Sequence, residues 1–117
     1  MLVFTSLDRI PKARLPPHLA THVEKILTGI LRAIPTYNPD NDGYLALVTP
    51  QDTDKSLGER IGIKWKEGCF EGMRYDEESR CYETLILHSN QYGISILIPD
   101  EQWLDPLIRE RVNREMA

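Results

Sequence analysis

The stretch from residue 68 to residue 98 most constrains the fold, because it holds three segments of strand composition joined by two short turns. The segments at residues 68–75, 80–88 and 92–98 are rich in leucine, β-branched and aromatic side chains. The intervening residues are mostly Asp, Glu, Ser, Asn and Gln, which favour turns. The pattern predicts a three-stranded antiparallel meander that needs other elements to cover it.

The remaining predicted elements are mainly helices. Apolar side chains recur at steps of three and four over residues 16–34, which predicts a long helix that Pro35 ends. Residues 54–61 predict a short helix, and a terminal helix begins near Pro106, with Asp105 as its N-cap. Residues 44–49 predict a strand, and residues 2–5 would add another.

Together these elements predict an α+β fold in a single domain over residues 1–117. The predicted sheet is antiparallel, with about four strands: the meander at 68–98 and the strand at 44–49. The long N-terminal helix, the short middle helix and the C-terminal helix pack on it.

The register predicted from the turns gives the meander one apolar face. Ile86, Thr84 and Tyr82 lie opposite Ile94, Ile96 and Ile98, while Met73 lies opposite Tyr82 and Cys69 opposite Ile86. We expect the long helix to pack on this face. Glu71 then lies opposite Thr84 and points toward the core, unless a bulge near Gly72 turns it outward.

The second face of the meander is also apolar. It carries Phe70, Leu85, Leu87 and Leu97. An antiparallel sheet that faces water is normally polar on that side, so these four residues predict a covered surface or an interface. The C-terminal helix, the N-terminal segment, a second copy of the chain and a ligand are the alternatives for the cover.

The overall charge of −4 and the acidic middle of the chain make nucleic acid an unfavourable partner. No run approaches the roughly 20 apolar residues of a membrane-spanning helix. The short apolar stretch at residues 1–7 is not expected to be a secretory signal, because the first basic residue follows it and no small-residue cleavage site ends it. With only two cysteines, the chain is expected to be a small acidic cytoplasmic protein that binds neither membrane nor nucleic acid.

Three groups of residues suggest metal or thiol chemistry, and each has a simpler explanation. Asn38, Asp40 and Asp42 begin like a calcium loop, but the twelfth position is Thr49 rather than Glu, so an Asx-rich turn is favoured.

His18 and His22 are four residues apart on the long helix, which gives too few ligands for a metal and favours surface histidines. Cys69 and Cys81 fall on different faces, which favours buried, unreactive thiols over a disulfide. We therefore predict no catalytic residue, metal or cofactor.

The sequence supports two hypotheses for function. The first is a small non-catalytic protein-interaction module, with a homodimer as one form of it, that uses the second sheet face and the terminal helix. The alternative is a small-ligand binding module with an aromatic-lined pocket between sheet and helix. The predicted pocket residues are Tyr82, Tyr92, Trp65, Trp103 and Glu71.

Two further hypotheses stand behind these. An enzyme would use Cys69 or His88 together with an acid, and an acidic centre could dock a basic protein.

Overall fold

The computed structural model describes residues 1–89, 91–100 and 105–117. In these residues the helices are α1 (Pro17–Ala33), α2 (Pro39–Asp42), α3 (Asp54–Ile61), α4 (Ile63–Lys66) and α5 (Pro106–Met116). The strands are β1 (Leu2–Phe4), β2 (Tyr44–Leu47), β3 (Glu71–Asp76), β4 (Cys81–Leu87) and β5 (Gly93–Pro99). Two 3₁₀ turns, Leu7–Arg9 and Pro11–Ala13, precede α1.

The strands form one five-stranded mixed sheet in the order β1-β2-β5-β4-β3. The fold is α+β, as predicted, but the sheet is not purely antiparallel. β2 pairs with β5 in parallel, and β1 joins as the fifth strand, antiparallel to β2. The parallel pair forms because α3 and α4 return the chain across one face of the sheet before the meander begins.

The predicted register is confirmed for one pair of strands and wrong for the other. Ile86, Thr84 and Tyr82 lie opposite Ile94, Ile96 and Ile98. In the other hairpin the turn occupies residues 77–80, so Asp76 pairs with Cys81 and Tyr75, rather than Met73, pairs with Tyr82.

A bulge between Glu71 and Arg74 then shifts the register again, and Glu71 pairs with Leu85 instead of Thr84. Cys69 precedes β3 and is not opposite Ile86. Glu71 is exposed, so the bulge that turns it outward is the correct one of the two predicted alternatives.

The helices cover the two sheet faces unequally. α3, α4 and α5 pack on the first face, where their buried side chains meet a core formed by Ala46, Val48, Ile86, Ile94, Ile96 and Ile98. α1 and the 3₁₀ turns pack on the second face, against Phe4, Leu45, Leu47, Cys81 and Leu97. The expectation that the long helix packs on the first face is therefore wrong.

A link between α3 and α5 explains this arrangement. The backbone N–H of Asp54 donates to Asp105 Oδ2 at 2.5 Å, and Asp105 also caps α5 by accepting from Leu107. The first turns of these two helices are thus tied together over one face. α1, with its buried stripe of Leu19, Val23 and Leu27, occupies the other face.

Asp54 anchors both helices to the buried Trp65. Its Oδ1 accepts hydrogen bonds from Trp65 Nε1 at 3.1 Å and from Arg111 Nε at 2.7 Å. The Arg111 guanidinium lies 5.3 Å from the centre of the Trp65 ring. The Arg111 hydrogen bond, although opposed by partial burial, holds the pKa of Asp54 below its ordinary value.

We expect Asp54→Asn to lower the free energy of unfolding by about 1–3 kcal/mol near neutral pH, since hydrogen bonds to charged groups are of this size. A carboxyl whose pKa is depressed in the folded state stabilises above its unfolded pKa, and the effect is lost as pH falls through the folded pKa. The stability difference between the two proteins should therefore shrink as pH falls below about 4 and disappear only below the lowered pKa that Asp54 has in the folded state.

Urea denaturation near pH 7 and near pH 3, at equal salt, measures this difference. A loss of stability that is the same at both pH values would contradict the ion-pair account.

Candidate functional site

One helix cannot cover the second face of a five-stranded sheet. Neighbouring strands lie about 4.8 Å apart and a helix is about 10 Å wide, so α1 spans roughly half of the sheet. Leu97 is buried beneath it, Leu85 is half-buried, and Leu87 remains 46% exposed. An apolar part of the second face is therefore open to solvent.

We call this surface the open strip and define it by Leu85, Leu87, Ser95 and the α1 residue Ile26. Leu85 and Leu87 converge above Gly93, because a Cβ built on that glycine would lie 3.3 Å from a methyl carbon of each leucine. The missing side chain at residue 93 lets the two leucines lie side by side. The result is a continuous apolar surface.

A groove of about 230 Å³ runs between α1 and the edge of the sheet. Ile26, Leu85 and Leu97 supply its apolar lining, while Glu71, Arg74 and Glu83 supply the charges. In the part of the chain that the structure describes, β3 is the outermost strand on this side, so no further strand closes the groove. The open strip thus has an apolar surface with a charged end.

A compact ionic cluster lies at this charged end, and we call it the His22 cluster: His22, Arg74, Asp76 and Glu83. Arg74 donates from Nε to Glu83 Oε2 at 3.0 Å, and its Nη2 forms an ion pair with the same oxygen at 3.0 Å. His22 Nε2 is in hydrogen-bond contact with Glu83 Oε1, and His22 Nδ1 lies 3.6 Å from Asp76 Oδ2. The cluster joins α1 to β3 and β4.

Burial makes the His22 cluster more than a surface salt bridge. The His22 and Glu83 side chains are each 11% exposed, compared with 79% for Arg74. Two largely buried ionisable groups must pair with each other, because burying a charge without a partner costs free energy. The prediction that His22 is a surface histidine is wrong, since α1 turns this residue toward the sheet.

His18 behaves as predicted and is exposed on α1. It lines a second cavity of about 290 Å³ together with His22, Glu78 and Ser79. His22 therefore lies between this cavity and the groove, in which Glu83 and Arg74 are found.

The cysteines are free and lie in different surroundings. Burial raises the pKa of the Cys81 thiol to about 11, so the group is protonated at neutral pH. Its Sγ donates to the Ser79 carbonyl at 3.4 Å. Cys69 is only partly buried and contacts Glu67. The prediction of buried thiols is therefore confirmed for Cys81 and wrong for Cys69.

Of the predicted ligand-binding residues that the structure describes, only Glu71 lines the groove. Trp65 is fully buried, and Tyr82 and Tyr92 pack partly buried against the same first-face core. Trp103 lies outside the described residues.

Each of the three described aromatic side chains packs on a neighbouring ring. Trp65 packs edge-to-face on Phe70, with 5.2 Å between the ring centres. The ring centres of Tyr82 and Tyr75 are 4.8 Å apart. Tyr92 contacts Tyr44 and His88 at one end of the sheet. Their spacing is that of core packing.

The structure separates the four predicted interface residues. Leu85 and Leu87 form the open strip, Leu97 is buried under α1, and Phe70 packs with Trp65 on the opposite face. Phe70 was placed wrongly because the bulge in β3 breaks the alternation from which its face was predicted. The cover of the second face is intramolecular but incomplete.

The calcium-like segment is an ordinary capped turn. The Asn38 side chain accepts from the Asp40 backbone N–H and caps α2, while Asp42 accepts from the Asn38 N–H. These contacts explain why Asn and Asp alternate here.

Sequence reasoning missed the His22 cluster as a unit. Two signals were present: His22 lies one helical turn from His18, and Glu83 interrupts an apolar strand. Neither signal predicts the contact between His22 and Glu83, because that contact depends on which sheet face α1 covers.

In the described parts of the chain, no helix is long and apolar enough to cross a membrane. The chain matches no protein-family model, no curated protein and no solved structure.

Proposed function

We propose that this chain is a non-catalytic protein-interaction module that pairs with a second copy of itself through the open strip. The observation that carries the proposal is the exposure of Leu87 beside Leu85 on a sheet face that α1 covers only in part. In a protein interface, an exposed leucine beside a half-buried one can supply the apolar centre that a polar rim surrounds.

The shape of the groove favours a protein partner over a small ligand. Its volume of about 230 Å³ lies below the 300–1,000 Å³ or so of typical ligand pockets. It is an open trough beside an unpaired strand edge rather than an enclosed cavity. Three of the aromatic residues predicted for a ligand pocket, Trp65, Tyr82 and Tyr92, do not line this groove.

The charges beside the open strip favour a second copy as the partner. Glu71 and Arg74 are both exposed on β3, line the same groove and carry opposite charges. In an interface with two-fold symmetry each surface meets itself, so a patch that carries both charges can pair each with its opposite. Leu87 would meet the equivalent apolar surface of the other copy.

The test is the solution mass by light scattering over a series of protein concentrations. We expect the wild type to form a dimer and Leu87→Glu to be a folded monomer, because the new carboxylate would be desolvated in the interface. Leu107→Glu is the matched control, since Leu107 is 55% exposed on α5, over the opposite face, and its variant should stay dimeric.

A wild type that is monomeric at every concentration would overturn the proposal. So would a dimer that Leu107→Glu dissociates and Leu87→Glu does not. A monomer whose melting temperature rises with a small molecule that contacts Leu85 would support the ligand-binding alternative instead.

A further inference from the structure

We propose that His22, Asp76 and Glu83 bind a divalent transition-metal ion, with Zn²⁺ as the representative ion. One ligand atom from each residue, a histidine ring nitrogen or a carboxylate oxygen, lies within 4.8 Å of the other two. The three residues come from α1, the end of β3 and the middle of β4. The fold therefore brings together ligands that are far apart in the sequence.

The ligand types suit a transition metal better than calcium or magnesium. Imidazole nitrogen is a ligand of Zn²⁺ and related ions, whereas Ca²⁺ and Mg²⁺ prefer sites made of oxygen alone. Three protein ligands also leave a coordination position for water or another donor, as in open zinc sites.

Neighbouring groups hold both carboxylates in place. Arg74 binds Glu83 Oε2 and leaves Oε1 directed at His22. The Ser79 backbone N–H donates to Asp76 Oδ2 at 2.9 Å. Such outer contacts orient metal ligands and limit the loss of side-chain freedom on binding.

A buried side chain beside the cluster adds a contact to one of the proposed ligands. Ser79 is 1% exposed and lines the same cavity as His22. Hydrogen bonding from the Ser79 side chain is the largest of the causes that lower the pKa of Asp76, so the hydroxyl lies close to that carboxylate.

The competing arrangement needs no metal. A doubly protonated His22 could donate from Nε2 to Glu83 and from Nδ1 toward Asp76, which would neutralise the cluster with a proton. The two arrangements differ in one measurable property, because only the first gives a saturable site for Zn²⁺.

Calorimetric titration with Zn²⁺, after treatment with a chelator, tests the proposal on the full chain. We expect the wild type to bind about one Zn²⁺ ion per chain. Asp76→Asn and His22→Ala should each weaken Zn²⁺ binding by about tenfold or more, which is the size of the affinity loss when the support of metal ligands is removed. Glu77→Gln is the matched control, since Glu77 is an exposed acid in the same turn and lies outside the cluster.

Two further readouts separate a specific site from general attraction to acidic groups. Co²⁺ should give a visible absorption spectrum that His22→Ala removes, and Mg²⁺ should give no saturable heat. Because the Asp76 side chain is 30% exposed, Asp76→Asn should disturb folding less than His22→Ala does. Circular dichroism checks that both variants are folded. Zinc binding absent from the wild type, or unchanged in Asp76→Asn, would overturn the proposal.

The metal site does not depend on the proposed dimer. A Leu87→Glu monomer should still bind Zn²⁺, because Leu87 contributes no ligand.

Discussion

Replacing Gly43 with alanine is expected to lower the free energy of unfolding by about 3 kcal/mol or more. Gly43 has a φ of +90°, a region that side chains with a Cβ rarely adopt. A Cβ at this position would also lie 1.6 Å from the Gly93 carbonyl oxygen. The two glycines precede or begin the parallel strands β2 and β5, so relieving the clash would separate the strands.

Gly62 provides a matched control for the backbone strain alone. Its φ of +104° and ψ of −162° are close to the +90° and −164° of Gly43, yet an added Cβ would meet nothing within 4 Å. Gly62→Ala should therefore cost only the conformational penalty, about 1–3 kcal/mol. Urea denaturation of both variants measures the difference, and equal losses would contradict the predicted clash.

A third glycine should change stability in the opposite direction. Gly29 lies on the exposed side of α1, with nothing within 4 Å of an added Cβ. Gly29→Ala should raise the free energy of unfolding by about 0.5–1 kcal/mol through helix propensity.

Replacing Trp65 with alanine is the second large expected effect, a loss of about 3–5 kcal/mol. Trp65 is fully buried, among the largest buried side chains, and packs edge-to-face on Phe70. Its removal leaves a cavity, takes one hydrogen bond from Asp54 and removes the ring beside Arg111. Because small domains have about 5–15 kcal/mol of stability, the variant should unfold readily on warming.

The neighbouring Ile63 provides the control for this substitution. Ile63 lies on the same short helix and is 61% exposed, so Ile63→Ala should change the unfolding free energy by about 0.5 kcal/mol or less. Thermal and urea denaturation measure both variants. A small loss in Trp65→Ala, similar to that in Ile63→Ala, would contradict the central position assigned to the indole ring.

Local signals in the sequence predicted most element boundaries. The helix predicted at residues 16–34 is observed as Pro17–Ala33, and the short helix has the predicted bounds Asp54–Ile61. Prolines, caps and apolar periodicity act over a few residues, so the sequence alone is enough to place such ends. The β4–β5 register was also predicted, because a short turn joins these strands.

The errors concern contacts between distant parts of the chain. The parallel pairing of β2 with β5 and the face that α1 covers depend on how several helices share the two sides of the sheet. The β3–β4 register failed for a local reason, since a one-residue shift of the turn and the bulge after Glu71 both change the pairing.

The candidate site was predictable in part for the same reason. Leu85 and Leu87 were assigned to the second face from strand alternation, and both lie in the open strip. The contact between His22 and Glu83 links residues 61 positions apart, and no periodicity carries that information.

Methyl NMR on a dilution series tests the open strip most directly. If two copies pair through it, the methyl signals of Leu85 and Leu87 should shift with concentration while those of Leu107 stay constant. Such a result would place the interface on the second sheet face. Concentration-dependent shifts confined to Leu107, or the absence of any shift at Leu85 and Leu87, would contradict the proposed function.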